Sequence, residues 1–146
     1  MAVEPTHAET LAALVGLHDE RRGERLCRFA YAARVDTSEG AFELCPAEAC
    51  GIGEGGAVRS LFSVRDDINA QHPLISAYEA FLARHGVEIA GIEFLETADG
   101  RLVTYDVNTN TNYSPDVEAA VADPAARRVA RFLGGLLAEQ RERVAA

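Results

Sequence analysis

VEIAGIEFLETADGRLVTYDVNTN, residues 87–110, contains two runs of alternating apolar residues on either side of Asp99-Gly100. Asp-Gly between strand-like runs is among the strongest short-range signals for a two-residue hairpin turn. With Asp99 and Gly100 as the loop, Ala98 faces Arg101, Phe94 faces Tyr105, Ile92 faces Val107, Glu93 faces Asp106 and Gly91 faces Asn108. Phe94–Tyr105 and Ile92–Val107 are aromatic and branched pairs that stabilise a sheet, and they share one face, which is expected to be the core.

The opposite face is less ordinary. Directly opposed residues have Cβ atoms roughly 4.5–5.5 Å apart, and like charges placed so are destabilising, yet this register opposes Glu93 to Asp106. A shared proton, a neighbouring cation or a bound divalent metal would each relieve the repulsion. Arg28 and Arg34 are candidates for the cation. Asn108 favours the metal: two carboxylates and an amide carbonyl, with no His or Cys among them, make an all-oxygen site suited to Mg²⁺ or Mn²⁺ and not to zinc. Gly91 opposite Asn108 is expected to leave room for a ligand. Mg²⁺ held by one or two carboxylates commonly completes its shell with phosphate oxygens, which points to a nucleotide. The plainer reading of NTNTN is a turn, because Asn bonds its own main chain; Asn110 and Asn112 are assigned to that turn.

Outward from the hairpin the elements are mixed. Thr6-His7-Ala8-Glu9 reads as a capping box, and Leu11, Leu14 and Val15 follow at helical spacing, so a first helix to about Leu17 is expected. Between Leu26 and Asp36 the period becomes two, with Cys27, Phe29, Tyr31, Ala33 and Val35 on one face and Arg28 and Arg34 on the other: a strand. DTSEG reads as a turn and AFELC as a second strand. Pro46 to Asp67 reads as loop, and Gly51, Gly53, Gly55 and Gly56 follow no clear strand, so they do not make a phosphate-cradling motif. Pro73 opens a helix with Leu74, Ile75, Tyr78, Phe81, Leu82 and His85 on one stripe and Gly86 as its stop. Asp123-Pro124 reads as N-cap and first turn of a last helix, with Val129, Phe132, Leu133, Leu136 and Leu137 as its apolar face. The fold class is α+β, an antiparallel sheet packed with helices.

Composition narrows the function. At 146 residues, 48% hydrophobic and 25% charged, the chain suits one globular domain with a real core. A formal net charge of −9 opposes a nucleic-acid or anionic-membrane surface, which needs a basic stripe. Cys27, Cys45 and Cys50 leave an odd thiol, the opening MAVEPTHAET has no basic or apolar signal-like region, and no apolar run approaches a membrane span, so a reducing, cytoplasmic setting is expected.

GIEF and YDVNTN together resemble the C-terminal catalytic part of the ATP-grasp superfamily, most closely the RimK-like α-L-glutamate ligases. In that family an acidic residue on one strand and an acidic-x-Asn motif about a dozen residues later hold the magnesium ions that bridge the ATP phosphates; Glu93, Asp106 and Asn108 match those positions. YAARVDTSEGAFELCPAEAC is similar to the preceding strand–turn–strand, where an arginine near the strand end contacts the phosphates or the acyl phosphate; Arg34 matches it, and Arg28 less closely. The resemblance spans roughly residues 24–140. It implies an ATP- and Mg²⁺-dependent carboxylate–amine ligase, with residues 1–23 as an N-terminal helix and linker and 24–146 as the ATP-grasp-like subdomain. The family's earlier subdomain carries the lysines and hinge that hold adenine and phosphates. Little of the sequence precedes the matching region and no lysine occurs in it, so the chain is expected to be half of the grip, completed by a companion chain, or else a non-catalytic metal- or nucleotide-binding remnant. A zinc site from Cys27, Cys45, Cys50, His72 and His85 is the remaining alternative; Cys45-x₄-Cys50 is not a common ligand spacing.

Overall fold

The computed structural model describes residues 8–19, 24–35 and 62–145. The expected turn at DTSEG, the strand at AFELC, the four clustered glycines, Cys45 and Cys50 lie outside the described residues.

Six consecutive side chains, from Thr10 to Val15, are buried. A helix in a small domain leaves one face to solvent, whereas a central strand covered on both sides is apolar throughout. The segment accordingly forms strand β1 (Ala8–Asp19), not the expected helix. Leu11, Leu14 and Val15 satisfy helical spacing only because every position in the run is apolar or small. β1 pairs antiparallel with β2 (Glu24–Val35) on one side and with β4 (Ile89–Glu96) on the other. A boundary after residue 23 would therefore separate two paired strands.

Among the described residues the sheet has five strands in the order β3-β2-β1-β4-β5, each neighbour antiparallel, with β3 (Phe62–Val64) on the outside of β2 and β5 (Leu102–Asn108) on the outside of β4. β3, three residues long, is too short to show a period and lies within the segment expected as loop. An extra residue on β2, Ala30, falls between the pairs Ala13↔Tyr31 and Leu14↔Phe29. This bulge redirects the alternation along the second strand.

Helix α1 (Pro73–Arg84) covers one face. Its Ile75, Tyr78 and Leu82 meet Ala12, Leu14, Cys27, Ala32, Ile92 and Phe94, and burying side chains such as Phe94, Leu14 or Leu82 contributes about 1.5–3 kcal/mol each. Helices α2 (Pro115–Ala120) and α3 (Ala125–Ala145) cover the other face through Val117 and Ala125, against Ala13, Val15, Tyr31 and Ala33. Gly16 admits the Phe132 ring, since a Cβ there would stand 2.6–2.8 Å from the ring carbons. The result is an α+β domain of three layers, helix, antiparallel sheet, helices.

The ends of α1 agree with expectation, while α3 departs from it in its cap and in its apolar face. α1 starts at Pro73 as expected, with His72 as its cap, the imidazole accepting from the Leu74 N–H at 3.2 Å. Gly86 follows the helix at φ +65°. α3 is capped by Glu118, whose carboxylate accepts the Ala125 and Ala126 N–H groups at 3.0 and 2.9 Å. Asp123 instead binds Arg128 and Arg131. On α3 Phe132 is buried, while Leu133 and Leu137 are exposed, so the expected apolar face is only partly core.

Candidate functional site

The hairpin of β4 and β5 carries the acidic pair, by a route the simple register misses. The Thr97 N–H donates to the Arg101 carbonyl at 2.9 Å and the Gly100 N–H to the Thr97 carbonyl at 2.8 Å. The loop is thus three residues, Ala98-Asp99-Gly100, with Gly100 left-handed at φ +79°, a hairpin class that ends on such a glycine. Asp99 stiffens it by accepting from Thr97 Oγ1 and from Arg101 Nε.

The longer loop shifts the pairs nearest the turn by one residue: Glu96↔Leu102, Leu95↔Val103 and Phe94↔Thr104. Phe94 therefore faces Thr104 and not Tyr105. Thr104 shares a hydrogen bond with the Tyr78 hydroxyl of α1, and Tyr78 in turn packs on Phe94 with ring centroids 6.2 Å apart. A bulge then leaves Tyr105 as the extra residue, and beyond it the pairs are Glu93↔Asp106, Ile92↔Val107 and Gly91↔Asn108. Loop and bulge compensate, so the opposed carboxylates occur where a two-residue loop would also put them. Ile92 and Phe94 are fully buried, but Tyr105 and Val107 on the outer strand are about two-fifths exposed, so only the β4 half of the expected core face is core.

Antiparallel partners project to the same face, which fixes the sidedness of the site. Glu93 pairs with Leu11 and Leu11 with Ala33, so Glu93, Asp106 and Asn108 lie on the α2–α3 face. There Glu93 and Asn108 line a small cavity of about 60 Å³ together with Tyr31, Phe62, Thr111, Asn112 and Ser114. Asp106 is exposed. The cavity has room for an ion and a water or two and not for a nucleotide, whose pockets begin near about 300 Å³. Burial, with the neighbouring Glu118 carboxylate second, raises the Tyr31 phenol far above its ordinary range, so it is a neutral wall.

The asparagines have a local use as well. Asn108 Oδ1 accepts the Asn110 N–H at 2.8 Å, and Thr111 Oγ1 donates to the Asn108 carbonyl at 3.0 Å. This is the self-bonded turn that the Asn-rich sequence suggests. An amide oxygen has two lone pairs, so one remains for a cation. The space expected beside Gly91 is filled: a Cβ there would stand 2.7 Å from Thr111 Cγ2, closer still to its Oγ1, and 3.0 Å from Leu11 Cδ1. Gly91 receives the returning turn instead of a ligand.

The arginines are elsewhere. Arg34 pairs with Thr10, which pairs with Phe94, so Arg34 leaves the sheet on the α1 face. The β2 residues on the acidic strip's own face near Glu93 include Tyr31 and Ala33, neither of them charged. Arg28 pairs with Val15, four residues along β1 from Leu11, or about 13 Å at strand rise. Its guanidinium bonds Glu79 of α1 at 2.6 Å. The structure thus gathers Glu93, Asp106 and Asn108 and leaves Arg28 and Arg34 apart from them.

Sequence reasoning overlooked two groups. Thr111 was hidden inside NTNTN, although a threonine three residues after Asn108 is a known local hydrogen-bonding pattern. Arg65, just after β3, bonds Thr10 at 2.9 Å, Glu96 at 2.7 Å and Asp67 at 2.9 Å. The Arg65 guanidinium holds the Asp67 carboxyl below its usual range. Nothing in the short β3 sequence signals that anchor.

Of the residues of the zinc alternative, Cys45 and Cys50 lie outside the described residues, and the described ones do not converge. His72 and His85 cap opposite ends of α1, about 20 Å apart at helical rise, and Cys27 is buried in the α1-side core. Among the described residues no three His, Cys, Asp or Glu side chains group as metal ligands. No described helix is long and apolar enough to cross a membrane. No family model, curated protein or solved structure matches the chain.

Proposed function

We propose that this chain is the metal-binding half of an ATP-grasp-type, Mg²⁺-dependent carboxylate–amine ligase, akin to the RimK-like α-L-glutamate ligases, and that a companion chain or further subdomain supplies the lysine-bearing half of the cleft. One observation carries the reading: Glu93 opposes Asp106 and Gly91 opposes Asn108 on one face of a hairpin, which gathers two carboxylates and an amide oxygen without nitrogen or sulfur donors.

That donor set fits Mg²⁺ or Mn²⁺. Glu93, Asp106 and the open lone pair of Asn108 would hold the cation, which when bound to nucleotide neutralises charge on the transferring phosphoryl group. The reaction class is transfer of that phosphoryl group to a carboxylate, then displacement of phosphate from the acyl phosphate by an amine. Tyr31, Phe62 and Leu11 form a low-dielectric wall behind the strip, which strengthens charge interactions at its mouth. Arg34 projects from the other face and is given no contact with phosphate. A second reading, a metal- or nucleotide-binding subunit without catalysis, is favoured by the cavity's small volume.

The test is a titration with Mn²⁺ in the presence and absence of a non-hydrolysable ATP analogue. Weak Mn²⁺ binding that tightens with the analogue and is lost in Asp106→Ala and Asn108→Ala is expected. Stoichiometric zinc that survives dialysis, or Mn²⁺ binding indifferent to both substitutions, would sink the proposal.

A further inference from the structure

Asn108 sits at the last position of β5, where a strand normally frays, and its side-chain oxygen must still point along the acidic strip. Two contacts restrain it. The Asn110 N–H holds Oδ1 at 2.8 Å, and Thr111 Oγ1 holds the Asn108 carbonyl at 3.0 Å. The first fixes the amide only if the backbone of the turn is itself fixed, and the second does that only if Thr111 is anchored. The anchor is the notch at Gly91: the Thr111 side chain fills the volume where a Cβ would stand, with Leu11 Cδ1 closing the notch behind it. Gly91 is also the cross-strand partner of Asn108. The turn therefore folds back across its own hairpin and docks beside the residue it has to hold.

We infer that Thr111, seated in the Gly91 notch, is the positioning residue that fixes the Asn108 amide on the acidic strip. It touches neither metal nor phosphate in this role. The metal part of the inference rests on the proposed reading of the strip; the docking of the turn does not. Three features specify the residue type. A hydroxyl is needed for the Asn108 carbonyl, hydroxyl and methyl together fill the notch with the hydroxyl nearest the Cβ position, and β-branching limits the rotamers so that both contacts are made together.

The experiment separates positioning from packing. Full-length protein is compared with Thr111→Val, Thr111→Ser, Gly91→Ala and the double variant Gly91→Ala with Thr111→Gly. Three readouts are Mn²⁺ affinity by electron paramagnetic resonance, thermal stability, and hydrogen exchange at the Asn110 amide. Thr111→Val keeps the shape and loses the donor; it is expected to weaken Mn²⁺ by about tenfold, the low end for residues that orient a metal ligand, and to speed Asn110 exchange. Thr111→Ser keeps the donor and should stay near wild type in both. Gly91→Ala should expel Thr111 and weaken Mn²⁺ at least as much as Thr111→Val. The double variant should regain stability without regaining Mn²⁺ affinity, because it restores room and not the hydroxyl. Recovery of Mn²⁺ affinity in the double variant, or wild-type Asn110 exchange in Thr111→Val, would overturn the inference. If the wild type binds no Mn²⁺ with or without nucleotide, the metal reading fails, and Asn110 exchange alone decides whether Thr111 holds the turn.

Discussion

At Asp106 the sheet opposes one carboxylate to another, and like charges placed directly opposite are destabilising. Asp106→Asn removes one of the two charges while keeping the side chain's size. Denaturant melts in chelator are expected to show the variant as stable as the wild type or more so. A loss above about 1.5 kcal/mol, the scale of a broken charge-assisted bond, would show that Asp106 is held by a fixed cation and that the strip is no metal site. Cys27 gives a second residue-scale test with a definite sign. Burial first, then the Glu79 charge, pushes its thiol from 9.0 up to about 12. The folded pKa exceeds the unfolded one, so the contribution is fully present below pH 9 and disappears as pH climbs toward 12. Stability should fall above pH 9 by up to about 1.4 kcal/mol per pH unit on this account. Melts of wild type and Cys27→Ala at pH 8 and pH 10 isolate it, since the variant should lack this part of the decline. Peptide mass spectrometry should likewise find Cys27 unalkylated in the native protein at pH 8.

The elements show what sequence patterns can and cannot convey. α1 was legible because three signals coincide, Pro73 at the start, a 3.6-residue apolar stripe and Gly86 at the stop. The hairpin was legible in its acidic pair and not in its loop, since Asp-Gly serves both two-residue loops and the second and third places of a three-residue one. Only the hydrogen bonds of Thr97 distinguish these. β1 was misread because a strand buried on both faces has no polar positions to reveal its period, and the face of Arg34 followed from pairing β2 with β1, which no local pattern encodes. Among the described residues, β3 pairs with β2 only from Ala33 to Val35, and no strand lies beside the inner half of β2. There the Phe29 N–H donates to Glu79 Oε1 at 3.0 Å, and the Phe29 carbonyl accepts from Arg128 Nη1 at 2.8 Å. One side chain from each helical layer thus closes the ladder and guards against pairing with another chain. Glu79→Ala leaves that N–H and the Arg28 guanidinium without their partner, and a loss of about 1.5–3 kcal/mol is expected in urea melts. Sedimentation at rising concentration should reveal association in a Glu79→Ala/Arg128→Ala variant that the wild type lacks.

For the whole molecule, the distribution of charge decides what the chain can do alone. Phosphoryl transfer needs cations around the migrating group and a near-attack geometry fixed from both sides of the nucleotide. The sequence has a net charge of −9 and no lysine. Four of the described arginines are turned to other tasks: Arg28 to Glu79, Arg65 to Asp67 and Glu96, Arg128 and Arg131 to Asp123. Arg34 projects from the face opposite the strip. The cavity behind Glu93 and Asn108 has about 60 Å³, enough to seat an ion against the sheet and far too little to enclose adenine. A second copy of the chain would bring another acidic strip to the nucleotide and not a cationic loop, because a two-fold axis apposes like with like. The chain by itself should therefore bind Mg²⁺ and nucleotide weakly without turning it over. The measurement is ADP release by purified protein with Mg²⁺, ATP and a panel of carboxylates and amino-acid acceptors, with a lysine-bearing companion added in parallel. Background rates without the companion and acceptor-dependent release with it are expected. Steady turnover by the chain alone, abolished by Asp106→Ala and Asn108→Ala, would instead place the whole phosphate-neutralising machinery within these 146 residues and refute the division of the cleft between two parts.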